Sequence, residues 1–157
     1  MALSYQLIRG SPSEWALTRR HPSEKIFGIQ LAGKDSRMLV QAAELVSRET
    51  SADFIDINMG CPIHEVTDHG AGSALLQRPG KIAQIVNDIT SAVPNIHLGL
   101  KMRMGWSDDK LVADQIISTL KGKKLLYVMV HGRTREARYT KKVEFCCKGK
   151  YIGCSPH

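Results

Sequence analysis

Apolar and polar positions follow two rhythms along this chain. Short dense apolar runs, rich in β-branched residues, occur at Ile26–Leu31 (IFGIQL), from Asp53 through Met59 (DFIDINM), at Ile96–Arg103 (IHLGLKMR) and at Leu125–Val130 (LLYVMV). Each has the length and composition of a buried strand. Between them the apolar residues recur at helical spacing. Met38, Leu39, Ala42, Ala43, Leu45 and Val46 predict a helix over 36–49, opened by Asp35-Ser36. Ile82, Ile85, Val86 and Ile89 predict one over 81–93, broken at Pro94. Ser107-Asp108-Asp109 would cap a third over 108–120. Upstream, Pro12-Ser13-Glu14 reads as a helix start with Ser11 or Ser13 as cap, ended by His21-Pro22. Residues 1–12 show no clear pattern, and His64–Gly72 reads as a polar loop. The order αβαβαβαβ predicts a parallel sheet with right-handed crossovers. A full (β/α)8 barrel takes about 250 residues. The expected fold is therefore α/β, a partial (β/α)8 TIM barrel of about four βα units.

Polar residues collect where these strands end. In the second of these strands, Asp56 and Asn58 share one face and Ile55 and Ile57 the other. The strand then stops at Gly60-Cys61-Pro62, which places a thiol at a carboxyl end, where α/β proteins bind ligands. Gln30 interrupts its strand near the same end. Lys101 and Arg103 lie two apart, as do His131 and Arg133. Each has a structural alternative. Cys61 is also a small hydrophobe, Lys101 and Arg103 could be snorkelling strand-end charges, His131 a satisfied core histidine, and Gln30 a loop cap.

Composition narrows the class. The chain has 157 residues, 43% hydrophobic and 24% charged, which is enough for one globular domain with a core. No apolar run is long enough to span a bilayer, so no membrane partner is expected. The start lacks a secretory pattern, and four cysteines then imply free thiols in a reducing compartment. That points to the cytoplasm, with the nucleus left open. A net charge of +7 favours a polyanion such as RNA, although the runs at 121–124 and 141–150 also suit a solvated face.

Five segments carry a family resemblance: EWALTRRHPSEKIFGIQLAG, DFIDINMGCPI, GAGSALLQRP, LKMRMGW and HGRTREARYTK. Together they span residues 14–141. They resemble the tRNA-dihydrouridine synthases, most closely the eukaryotic branch that reduces uridine 47. The resemblance implies a flavin mononucleotide (FMN) barrel that reduces uridine in tRNA with NAD(P)H. It also implies that Cys61 is the catalytic proton donor and that Asn58, Arg103 and Arg133 contact the base or the RNA. Gln30, Lys101 and His131 correspond to flavin contacts, and no metal is expected. A thiol, largely protonated at neutral pH, suits a proton donor. A cation such as Lys101 suits a flavin ring that gains charge on reduction.

The chain also departs from that family. The opening flavin-binding strand is not recognisable, and the likeness ends after Lys141, giving expected units at 1–141 (partial barrel) and 142–157 (a divergent cysteine-containing tail). The tail offers Cys146, Cys147, Cys154 and His157, whose spacing does not match a zinc site. Asp68 stands where a basic phosphate contact is expected, which lowers the expected RNA affinity. A half-barrel leaves open edges, so marginal stability or self-association is expected. The competing readings are another flavin barrel, of the dihydroorotate dehydrogenase kind, and a truncated inactive fragment acting at most as a basic RNA- or partner-binding piece.

Overall fold

The computed structural model describes residues 1–140. Among them, five strands form one parallel sheet in the order β1-β2-β3-β4-β5: Ala2–Leu3, Gly28–Ala32, Phe54–Met59, His97–Arg103 and Tyr127–His131. Strand order equals chain order throughout. Right-handed crossovers then all fall on the same side of the sheet. This is the winding of a barrel wall, and it differs from the reversed order of doubly wound sheets. The helices agree, since α1 (Ser4–Ile8), α3 (Ser36–Glu49), α5 (Pro79–Ala92) and α6 (Ala113–Thr119) pack in sequence against one another.

The strand pattern explains which side they cover. Ile29, Leu31, Ile55, Ile57, Met59, Leu98, Leu100 and Met102 alternate onto the helix side, and none is more than 2% exposed. They meet Leu39, Ala42, Ala43 and Val46 of α3 and Ile82, Ile85, Val86 and Ile89 of α5. Burying each large aliphatic side chain contributes about 1.5–3 kcal/mol, so this layer holds the sheet together. The opposite face carries Gln30, Asp56, Asn58, Lys101, Tyr127 and His131, and in a closed barrel it is the lumen. Two glycines shape it by close approach. A Cβ on Gly28 would lie 2.1 Å from the Phe54 ring and one on Gly99 2.4 Å from the Tyr127 ring. The two rings meet edge-on at 5.9 Å between them.

Helix α3 starts where expected, with Asp35 accepting from the Arg37 and Met38 amides. Helix α5 begins two residues earlier than expected, because Pro79 suits the first helical position. Other expectations need correction. Residues 1–12 hold β1, α1 and the start of α2 (Pro12–Ala16); a two-residue strand and five-residue helices are too short to show a period. Helix α2 ends at Ala16, well before His21-Pro22, because Thr18 turns back onto the Trp15 carbonyl through both its amide and its hydroxyl. The polar loop contains a one-turn helix, α4 (His64–Thr67), followed by a 3-10 segment at Gly72–Gln77. The helix expected over 108–120 occupies only Ala113–Thr119. Its expected cap instead closes a turn, with the Lys110 amide on the Ser107 carbonyl, while Val112 and Ala113 both donate to the Met104 carbonyl. Asp108 accepts from Thr134 Oγ1 at 2.8 Å, tying this loop to the one after β5. The expected cysteine-containing tail and its metal-like residues lie outside the described residues.

Ile57→Ala removes a side chain that is 0% exposed between sheet and helices. It is expected to lower the unfolding free energy by about 2–5 kcal/mol, read by urea denaturation. A loss below about 1 kcal/mol would show that the helix layer does not pack on β3 as described.

Candidate functional site

The sequence-predicted residues converge on the lumen face at the carboxyl ends of β2 to β5. Register brings them there. Gln30 pairs with Asp56, Asn58 with Lys101, and Arg103 with His131. Because partners in adjacent parallel strands share a face, these residues form successive rows that rise toward the rim.

The lower rows are joined by one hydrogen-bond chain. Tyr127 Oη reaches across Gly99 to donate to Asp56 Oδ1 at 3.0 Å. Gln30 Nε2 donates to Asp56 Oδ2 at 2.5 Å, and Asn58 Nδ2 donates to Gln30 Oε1 at 2.8 Å. Asn58 Oδ1 accepts the amides of Gly60 at 3.1 Å and Cys61 at 2.9 Å. Asp56 is 5% exposed, and burial pushes its carboxyl above the usual range, against the opposing pull of Gln30, Tyr127 and Lys101. Burial and the Asp56 charge push the Tyr127 phenol upward, so Tyr127 stays protonated and donates. A primary amide has two N–H bonds. Gln30 and Asn58 each use one within the chain, which leaves each with a second for a ligand.

The turn bearing Cys61 is held from three directions. Asn58 takes its two amides, Arg103 Nε donates to the Gly60 carbonyl at 2.7 Å, and Ser73 donates to the Cys61 carbonyl through its amide at 3.1 Å and its hydroxyl at 2.9 Å. Gly72 makes that last approach possible. Its φ is +58°, and a Cβ there would lie 2.8 Å from the Cys61 oxygen. Cys61 is a free, partly exposed thiol on a fixed backbone.

Arg103, expected near the base or the RNA, is 2% exposed. Besides Gly60, it donates through Nη1 to the carbonyls of Thr134 at 3.0 Å and Arg138 at 3.1 Å, and its guanidinium lies 5.3 Å from the Tyr139 ring centre. It clamps the cysteine turn to the loop after β5. Lys101 is partly exposed on the lumen face and has no hydrogen bond or ion pair to another described residue. Arg133 Nη1 donates to His131 Nε2 at 3.2 Å. A guanidinium cannot accept, so this contact leaves Nε2 bare and puts the imidazole proton on Nδ1. Burial, then the charges of Arg103, Lys101 and Arg133, push the His131 pKa down to about 4. The lumen face thus offers an ammonium, a neutral imidazole and two amide N–H groups. That donor set fits a flat ring bordered by acceptor atoms and gaining negative charge.

Asp56, Tyr127, Gly72 and Ser73 received no role from the sequence. Asp56 had a signal, since it shares the strand face of Asn58. The others act through register and loop packing, which no local pattern displays.

Known proteins resemble this chain in sequence. The family model for dihydrouridine synthase matches residues 1–146. The tRNA-dihydrouridine(47) synthase [NAD(P)(+)] of Coprinopsis cinerea is 41% identical over 148 residues, covering 92% of this chain and 22% of that protein. The proteins named tRNA-dihydrouridine(47) synthase [NAD(P)(+)]-like are 43% identical over 141 residues in Xenopus laevis and 40% identical over 145 in Homo sapiens. These alignments cover 90% and 92% of this chain and 22% of each relative. The chain therefore spans 22% of the length of each of these relatives.

Two outcomes follow from the site's geometry. Arg103→Met strips one buried and two partly buried carbonyls of their donor and is expected to lower stability by about 2–4 kcal/mol, measured by urea denaturation. An unchanged midpoint would show that solvent already serves those carbonyls. For His131 the folded pKa lies near 4, below the ordinary 6.5. The unfolded chain therefore binds a proton first, and this residue's contribution, complete above pH 6.5, is lost as pH falls toward 4. His131→Asn should show a smaller drop in melting temperature than the parent between those pH values. Equal drops would mean that His131 titrates normally.

Proposed function

The chain belongs to the dihydrouridine synthase family, and from that premise we propose that it carries the flavin-facing wall and the proton donor of a tRNA-dihydrouridine synthase. The observation that carries this reading is the Cys61 thiol, held on a three-way-braced turn beside a lumen face of unengaged donors. Reduced flavin mononucleotide would supply a hydride to one carbon of the uracil 5,6 double bond. The remaining chemistry belongs to side chains of this chain. Cys61 gives its thiol proton to the other carbon, the part of a general acid.

Lys101, His131 and the second N–H of Gln30 would line the flavin ring, with Lys101 balancing the charge it gains on reduction. The second N–H of Asn58 would meet a carbonyl of the flipped base. Arg133 and the net charge of +7 would favour the tRNA backbone. Arg103 would act at one remove, by keeping the Gly60–Cys61 turn in place. The relatives' names include NAD(P)(+), which supports a nicotinamide nucleotide as the reductant.

The purified chain is expected to quench FMN fluorescence stoichiometrically and to form dihydrouridine in unmodified tRNA with NADPH. Cys61→Ala should retain flavin binding and lose activity by about 10²–10⁴-fold. Lys101→Met should weaken flavin binding. Full activity in the Cys61→Ala protein, or no flavin binding by a folded sample, would sink the proposal.

A further inference from the structure

We infer that Asp56 is a positioning residue whose acceptor-only carboxylate sets the polarity of the hydrogen-bond chain through Gln30 and Asn58, and so holds the Cys61 turn in register. The inference deepens the reading of Cys61 as proton donor and rests on that reading for its catalytic meaning. Its structural content stands separately.

Donors and acceptors must alternate along this hydrogen-bond chain. A primary amide has one donating end and one accepting end, so each amide in a chain passes its orientation to the next. At the rim end, two backbone N–H groups, of Gly60 and Cys61, point at Asn58 and require its oxygen. Asn58 must then present Nδ2 to Gln30, which answers with Oε1. Gln30 is left to present Nε2 downward, and the group there must accept. Asp56 does, and its other oxygen accepts from Tyr127. The chain has only one consistent direction, and it is anchored at both ends by groups that cannot reverse. A second acceptor placed at Gln30 or Asn58 breaks the sequence, because two acceptors then face each other in a site that is mostly shielded from water.

Two double-variant cycles test this, and neither requires flavin or tRNA. Asn58→Asp keeps an oxygen on the Gly60 and Cys61 amides but sets carboxylates on both sides of Gln30. Gln30→Glu sets a carboxylate directly against Asp56. Each single variant should lower the melting temperature. Each should also raise the alkylation rate of Cys61 by iodoacetamide roughly tenfold, as expected when about one hydrogen bond is lost. The rate is followed by mass spectrometry of the Cys61 peptide, so the other cysteines do not interfere. Adding Asp56→Asn supplies the missing donor. In the first pair the new amide at position 56 gives an N–H to Gln30, and in the second it gives one to the new carboxylate at position 30. In both, the oxygen of that amide still accepts from Tyr127. Both doubles should therefore return alkylation and melting temperature most of the way to the parent.

If a single variant does not fold, recovery of a folded protein in its double is the same result. Doubles that are as impaired as their singles, or more so, would overturn the inference. Where uridine reduction is measurable, kcat should fall as Cys61 alkylation rises and recover with it across the set. Rescue without any activity in the parent chain would leave the polarity device standing and remove only the catalytic reading of Cys61.

Discussion

Two backbone N–H groups converge on a single side-chain oxygen, Asn58 Oδ1, and the arrangement of the rim depends on that convergence. The strand β3 has ended, the chain must turn, and the amides of Gly60 and Cys61 have left the ladder. Buried amides need partners. Asn58 supplies one oxygen for both, which curls the backbone tightly and aims Cys61 off the strand end. Arg103 and Ser73 then take the two carbonyls of the same turn. The loop that carries Cys61 is thereby braced through its amides and its carbonyls alike.

The same face shows how a parallel sheet makes room for polar chemistry. The helix side of β2, β3 and β4 is a continuous aliphatic layer that supplies the stability. The lumen side is relieved of packing duty and can hold a carboxylate, two amides, an ammonium and a neutral imidazole in rows. Gly28 and Gly99 matter because they are small. Each gives its neighbour's aromatic ring space to lie over the sheet, and at Gly99 that space lets Tyr127 cross β4 to reach Asp56. Charge is graded along these rows. The buried carboxylate lies low, whereas Lys101, Arg103 and Arg133 crowd the top and add to the burial that holds His131 neutral. A ligand with an anionic, acceptor-rich edge meets a matched field there.

The loops after β4 and β5 behave as one unit. Met104 donates to the Arg133 carbonyl, Arg135 and Glu136 donate to those of Gly105 and Trp106, and Arg135 stacks 4.7 Å from the Trp106 ring centre. This pairing also takes Asp108, expected to cap a longer helix, through the Thr134 hydroxyl. It also provides the carbonyls that Arg103 grips, so the clamp on the cysteine turn depends on contacts more than thirty residues away in the chain.

The strands β2 to β5, the helices α3 and α5 and the parallel arrangement are legible in the amino-acid order, because burial on one face imposes a period and proline and aspartate mark the ends. So is the gathering of Gln30, Asn58, Cys61, Lys101 and His131 at strand ends, since alternation assigns each a face. Tertiary structure alone decided what those side chains touch. That Gln30 lies between Asp56 and Asn58 follows from the register of β2 against β3, and that Arg103 is buried follows from a loop folding over it. That Tyr127 completes the chain depends on a glycine one strand away. Periodicity reports which side of an element is covered. It carries no information about which residue of another element does the covering, and hydrogen-bond direction is set by that second choice.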